Sequence, residues 1–322
     1  MIDYSIFYKT ALSGDLSWAL HESWDVFLSA FNSSERVRSV FQAIRAQEKH
    51  WLVCAEYGYE AGELPVGNCF AESAESEEAF INRFFATRVD VNSDKSMCVD
   101  TTGFVRPQLL FLLNYLYHSS IPQVDFLYSE PAHYAKKEET VFALGGIREV
   151  RQIHGYEGVH SLDISNNLLV IGAGYDSMLI RSVAESKGNS RKMQILGLPS
   201  LRADMYQENV LRANKAEESL GNCETIFAPA NDPFITADVL KEAVLRSHSL
   251  KPITNLYLCP LATKAQVLGF GLFHLGTLAG GPSSVIYPFS EKYHRETTKG
   301  IARVWKFTVD FAAMRAGAII LL

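Results

Sequence analysis

Leu168-Leu169-Val170-Ile171-Gly172-Ala173-Gly174-Tyr175-Asp176-Ser177 is the stretch from which the fold can be read. Apolar residues run without alternation into a glycine-containing turn, and from Ser177 to Ser186 apolar side chains return at helical spacing. An unbroken apolar run fits a strand covered on both faces, as in a parallel sheet. The helix leads to a second strand, Met193-Gln194-Ile195-Leu196-Gly197, so residues 168 to 200 read as one βαβ unit.

The same form recurs on both sides. Downstream, strands are expected at Thr225 to Ala228, Asn255 to Cys259, Ser284 to Tyr287 and Trp305 to Val309, with helices at Ala203 to Glu218, Thr236 to Ser247 and Lys264 to Leu275. Upstream, strands are expected at Trp24 to Ala30, His50 to Ala55, Asn68 to Ala71, Ser96 to Asp100 and Val124 to Tyr128. Between them Asn32-Ser33-Ser34-Glu35 supplies helix caps, and Glu75 to Ala86 and Gln108 to Tyr117 read as helices. Strands alternating with helices of this length predict an α/β protein of two Rossmann-like or flavodoxin-like domains with mainly parallel sheets. The expected division is an N-terminal domain over 1–131, a linker with a β-ribbon at Ile147 to Ile153 over 132–165, and a C-terminal domain over 166–322.

Composition narrows the function classes. A 322-residue chain with 48% hydrophobic and 20% charged residues can bury a core in each of two domains. Its formal net charge of -6 argues against nucleic acid as a partner, because duplex binding leaves a basic excess. The cysteines Cys54, Cys69, Cys98, Cys223 and Cys259 are scattered and form no C-x-x-C pair, which predicts a reducing, cytoplasmic setting. Met1 to Ile6 carries no basic segment followed by an apolar run of the kind a secretory signal needs. Ala316 to Leu322 falls far short of the roughly 20 apolar residues of a membrane span and reads as a buried terminal strand or helix end. No metal is expected, since the histidines form no i, i+4 ligand pair, and neither a Walker A loop nor a serine nucleophile elbow occurs.

Three turns have the chemistry to hold an anion. Gly172-Ala173-Gly174-Tyr175-Asp176-Ser177 approaches the G-x-G-x-x-G fingerprint, with Gly172, Gly174 and Asp176 as its candidate ligand-binding residues. The carboxylate that a dinucleotide site wants after the second strand is missing, and Gly197-Leu198-Pro199-Ser200 stands there. Thr101-Thr102-Gly103, after the strand ending at Asp100, offers hydroxyls and backbone N–H groups. Thr263-Lys264 opens a helix after a buried strand and adds an ammonium. Each also reads as plain turn closure or capping. Glu56 and Glu130 follow buried strands beside Tyr57, Tyr59 and Tyr128, and are the candidate catalytic carboxylates.

Cys259-Pro260-Leu261-Ala262-Thr263-Lys264 resembles the strand, Thr-Lys turn and helix of CARF-type domains, which sense cyclic oligonucleotides in prokaryotic defence systems. The resemblance covers about twenty residues, through Gly269-Phe270-Gly271, and lacks the glycine pair that commonly precedes the Thr-Lys. Trp24 to Ile44, with Asp25-Val26-Phe27-Leu28-Ser29, is similar to the first strand and helix of TIR domains, whose later motif with the catalytic glutamate is not matched. The three turns, with these resemblances, imply a nucleotide- or phosphate-binding regulatory or adaptor protein of a prokaryotic defence or stress-response system with a protein partner, and the short apolar terminus implies no membrane. No cofactor beyond such a nucleotide ligand is identified. The alternatives are a nucleotide- or NAD-cleaving hydrolase and a structural assembly subunit without a small ligand.

Overall fold

A computed structural model describes residues 2–90, 94–134, 143–174, 176–202, 207, 210–211, 217–295 and 298–322. It divides into two compact units, each discontinuous in sequence. The first comprises Phe7–Leu144 and Glu291–Ala313; the second comprises Met1–Ile6, Gly145–Ser290 and Met314–Leu322.

The first unit is built on a seven-stranded sheet of β1 (Tyr8–Ser13), β2 (Ser23–Ala30), β3 (Arg45–Leu52), β4 (Cys69–Phe70), β5 (Met97–Asp100), β6 (Gln123–Tyr134) and β13 (Thr298–Asp310). Their spatial order is β1-β13-β6-β5-β2-β3-β4. Contacts among β2 to β6 are parallel, whereas β13 runs antiparallel to β6 and β1. Numbered along the chain, the five parallel strands lie 3-2-1-4-5, the Rossmann order and not the flavodoxin-like 2-1-3-4-5. The order reverses between β2 and β5, and such a switch point opens a crevice at the strand carboxyl ends.

Helix α1 (Glu35–Ala43) turns Val37 and Val40 inward, and α2 (Glu77–Arg88) is capped by Ser76, whose hydroxyl accepts from the Ala79 N–H. Helix α3 (Arg106–His118) takes Pro107 in its first turn and buries residues all round, as its leucine and aromatic content demands. Strand β3 begins earlier than its apolar end announces, because Arg45 to Lys49 is a polar half with alternating burial.

The second unit holds β7 (Ala143–Gln152), β8 (Leu168–Gly172), β9 (Arg191–Gly197), β10 (Cys223–Ala228), β11 (Leu256–Pro260) and β12 (Ser283–Tyr293), in the order β10-β9-β8-β11-β12-β7. Here β8 to β12 are parallel neighbours and again lie 3-2-1-4-5. Every residue of β8 is buried, as its unbroken apolar run requires. Its helices are α4 (Ser177–Ser186), α5 (Pro233–Leu250) and α6 (Lys264–Thr277). The expected helix from Ala203 to Glu218 falls largely outside the described residues, as do Tyr175 and Lys136 to Glu139.

Two segments expected elsewhere change sheets. The ribbon near Ile147 to Ile153 is edge strand β7 of the second sheet, and Trp305 to Val309 lies in β13, which joins the first sheet beside β6. Each sheet therefore continues past its fifth parallel strand with a strand from the other half of the chain. No local pattern reveals this, because a strand's partner is chosen by backbone pairing at a distance.

The terminal stretch differs from its expected burial. Helix α7 (Phe311–Gly317) ends there, and Ile320 is 62% exposed. The Ile319 and Leu321 N–H groups bond the Gly276 and Thr277 carbonyls, so the backbone is paired while the side chains face out. Among the described residues no helix is long and apolar enough to cross a membrane, and no group of three or more His, Cys, Asp or Glu is placed to hold a metal ion.

Candidate functional site at the carboxyl edge of the first sheet

Strand β5 delivers Asp100 to the switch point, where its side chain is fully buried. Oδ2 accepts from Ser29 Oγ at 3.1 Å, at the end of β2, and Oδ1 accepts from the Thr102 N–H at 3.0 Å. Burial pushes this carboxyl up from the ordinary range, against the hydrogen bonds from Thr102 and Ser29 and the charge of Arg36. Thr102 Oγ1 also accepts from the Ser129 N–H at 3.0 Å, tying the β5 turn to β6. Thr101 is fully buried, and both its N–H and its hydroxyl donate to the Leu127 carbonyl, so it extends the ladder and offers a ligand nothing. Gly103 is required sterically, because a Cβ there would lie 2.0 Å from the Ala30 carbonyl oxygen.

Arg36, in the first turn of α1, sends Nη1 to the Ser129 carbonyl while its buried Nε has no partner. Ser129 is fully buried, and its hydroxyl is also unpartnered. The neighbouring Tyr128 phenol is pushed up by burial, opposed by the charges of Arg36 and Arg106. Arg36 thus reaches the end of β6 beside a serine hydroxyl and the Thr102 turn, and the charges of Glu130 and Arg106 act on the same phenol.

The loop after β3 contributes a second cluster. Glu56 Oε1 accepts from Gln108 Nε2, in the first turn of α3, whereas Glu56 Oε2 and Gln108 Oε1 are buried without partners. Burial raises the Glu56 carboxyl; the bond from Gln108 opposes this, and the nearby charge of Glu77 adds to it. Tyr57 donates its phenol to the Gly103 carbonyl at 2.8 Å and is held well above its usual pKa by burial. The Tyr59 hydroxyl accepts from the Ser33 N–H at 2.8 Å. Arg295 grips the loop from outside: Nε donates to the Tyr57 carbonyl at 2.8 Å, Nη1 meets Glu63 Oε1 at 2.6 Å, and the guanidinium lies 4.2 Å over the Tyr59 ring. Both clusters therefore meet the one segment from Asp100 to Gln108.

Glu130 does not join them. It accepts from the Trp305 indole at 2.8 Å within the β6 to β13 ladder, whereas Glu56 is bonded by Gln108. Arg36, Ser129, Gln108 and Glu77 escape sequence reasoning. The first three carry no motif, and Glu77 looks like an ordinary acidic first helical turn.

In the second unit the candidate turns are occupied by the fold itself. A Cβ on Gly174 would lie 2.1 Å from the Leu261 carbonyl oxygen, so this glycine lets the β8 turn close against the end of β11. Gly172 is packed against the Phe270 ring. Asp176 caps α4 by accepting from the Met178 and Leu179 N–H groups. The Thr263 hydroxyl donates to the Ala230 carbonyl and accepts from the Gln266 N–H, capping α6, and leaves Lys264 half-buried beside it.

Two further constellations lie at the opposite edge of that sheet. His160 places Nε2 3.1 Å from Ser284 Oγ and Nδ1 3.1 Å from Asn255 Oδ1, a Ser-His-Asn chain in outline. Asn255 also binds Ser161, Asp163 and Asn167, so both partners of His160 are held within the fold. The chain is a clamp on the 158–167 loop. A cavity of about 580 Å³ lies at the amino ends of β8 to β10, but Arg191 in its wall is already bonded to Asn166 and Ser247. No protein family, curated protein or solved structure matches the chain.

Proposed function

We propose that the first unit binds a phosphate-bearing small molecule, of the nucleotide class, at the carboxyl edge of its sheet, with regulation of a protein partner as the output. One observation carries the reading: Arg36 Nε, Ser129 Oγ, Glu56 Oε2 and Gln108 Oε1, all buried and unpartnered, gather around one switch-point segment. Leaving such an atom unsatisfied costs about 1 to 3 kcal/mol, so a cluster of them is a place where folding was not the criterion. The cationic half suits a phosphate, through the Arg36 guanidinium, a serine hydroxyl and the first turn of α1. A role in a prokaryotic defence or stress-response system is the setting that the local resemblances imply.

Calorimetric titration with ADP, NAD and cyclic nucleotides tests this. Arg36→Gln should weaken binding roughly ten- to a hundredfold, the worth of a charge-assisted hydrogen bond, while Lys264→Ala leaves it unchanged. Failure of every nucleotide to bind, or equal affinity in Arg36→Gln, refutes the site.

One observation favours hydrolysis as a second reading: Glu56 keeps a free oxygen, and burial raises its carboxyl above the ordinary range, the direction in which a general acid is shifted. Turnover of NAD or ATP that Glu56→Gln abolishes would place this reading first, and binding without turnover would leave the regulatory one ahead.

A further inference from the structure

We propose that Glu56 and Gln108 form a subsite for a vicinal diol, so that the molecule held at this edge is a ribonucleotide and not a deoxyribonucleotide. This rests on the phosphate-binding reading above and adds the sugar to it.

The donors and acceptors of the pair set what it can bind. Gln108 is 6% exposed, and one of its two amide N–H groups is committed to Glu56 Oε1. The atoms of the pair without a partner are Glu56 Oε2 and Gln108 Oε1, both acceptors. A phosphate there would set its oxygens against theirs. Two adjacent hydroxyls, each with one O–H to give, answer both acceptors at once.

Position agrees with inventory. Glu56 lies four residues beyond Leu52, the last residue of β3, which is the second parallel strand of a 3-2-1-4-5 sheet. In this strand order a carboxylate after the second strand stands where a ribose 2′-OH falls when the phosphate occupies the helix after the first strand. Here that helix is α1, which carries Arg36. Glu77, 3% exposed in the first turn of α2, adds a second acidic group beside Glu56, and its field favours hydroxyl donors over anions. The corresponding place in the second unit, after β9, holds Gly197-Leu198-Pro199-Ser200 and offers no carboxylate.

The test compares ADP, 2′-deoxy-ADP and 3′-deoxy-ADP by calorimetry on the full chain, with wild type, Glu56→Ala and Gln108→Ala. Wild type should prefer ADP over either deoxy analogue by about tenfold or more, the usual worth of a hydrogen bond to a charged acceptor. Glu56→Ala should bind all three alike, at the affinity wild type shows for the deoxy compounds. Because either substitution removes a buried partner, Glu56→Gln, close in shape, serves as a second variant and should narrow the preference while keeping the fold. Equal wild-type affinity for ADP and 2′-deoxy-ADP overturns the diol subsite and leaves the phosphate site standing. So does a preference that survives in Glu56→Ala. Absence of binding by all three, with Arg36 intact, overturns both readings together.

Discussion

His274 offers a prediction whose size follows from the fold. It sits on α6, 1% exposed, with Tyr156 at a ring-centroid distance of 5.2 Å, Nε2 3.5 Å from the Ser283 carbonyl oxygen and Nδ1 without a partner. Burial penalises the imidazolium and takes its pKa down to about 4 from an ordinary 6.5. A depressed histidine stabilises the folded state above the unfolded pKa, and that contribution is lost as pH falls toward the folded one. Each pKa unit is worth about 1.4 kcal/mol, so the full loss approaches roughly 3 kcal/mol, of which about 2 kcal/mol is gone by pH 5. The perturbation is His274→Gln, which cannot titrate. Chemical unfolding of both proteins at pH 7.5, 6 and 5 gives their difference in stability at each pH. That difference should shift by about 2 kcal/mol in favour of the variant between pH 7.5 and 5, whatever the cavity costs, because the cavity term does not depend on pH. A pH-independent difference, or an imidazole that titrates near 6.5 by NMR, refutes the argument that this ring is held neutral by burial.

Two further outcomes follow from the candidate site. Gly103→Ala forces a Cβ to within 2.0 Å of the Ala30 carbonyl oxygen and should cost about 1 to 3 kcal/mol or more and weaken nucleotide binding, whereas Gly62→Ala, which meets nothing within 4 Å, should do neither; equal thermal melts would disprove the close approach. For Glu56, whose carboxyl is raised by burial, the stabilising proton is fully present below the ordinary carboxylate range and lost as pH rises through the raised value, so Glu56→Gln should gain on wild type as pH climbs out of the ordinary carboxylate range, and a constant difference would show a carboxyl titrating as in water.

What the chain's order of residues determines by itself is local. The unbroken apolar run Leu168 to Ile171 can only be satisfied between two covered faces, and Ser177 to Ser186 carries its helical period and its Asp176 cap within a few residues of sequence. The α/β class and the mainly parallel sheets follow from repetition of that unit. Local chemistry also marks Glu56 and the Thr101 to Gly103 turn as strand-end residues, but not what they do.

The tertiary structure decides the rest, because every remaining feature depends on residues far apart in the chain. Arg36 joins the candidate site by reaching Ser129, and Glu56 by meeting Gln108, 52 positions away. Gly172 and Gly174, the most motif-like residues of the sequence, prove to be places where backbone and ring pack closely, since a missing Cβ serves a neighbouring strand as well as it serves a phosphate. Glu130 and Trp305 pair because β13 lies beside β6, and no periodicity within β13 names its partner. Periodicity reports which face of an element is buried; which elements share an edge, and so which polar atoms stay unpartnered there, is settled only when distant strands pair.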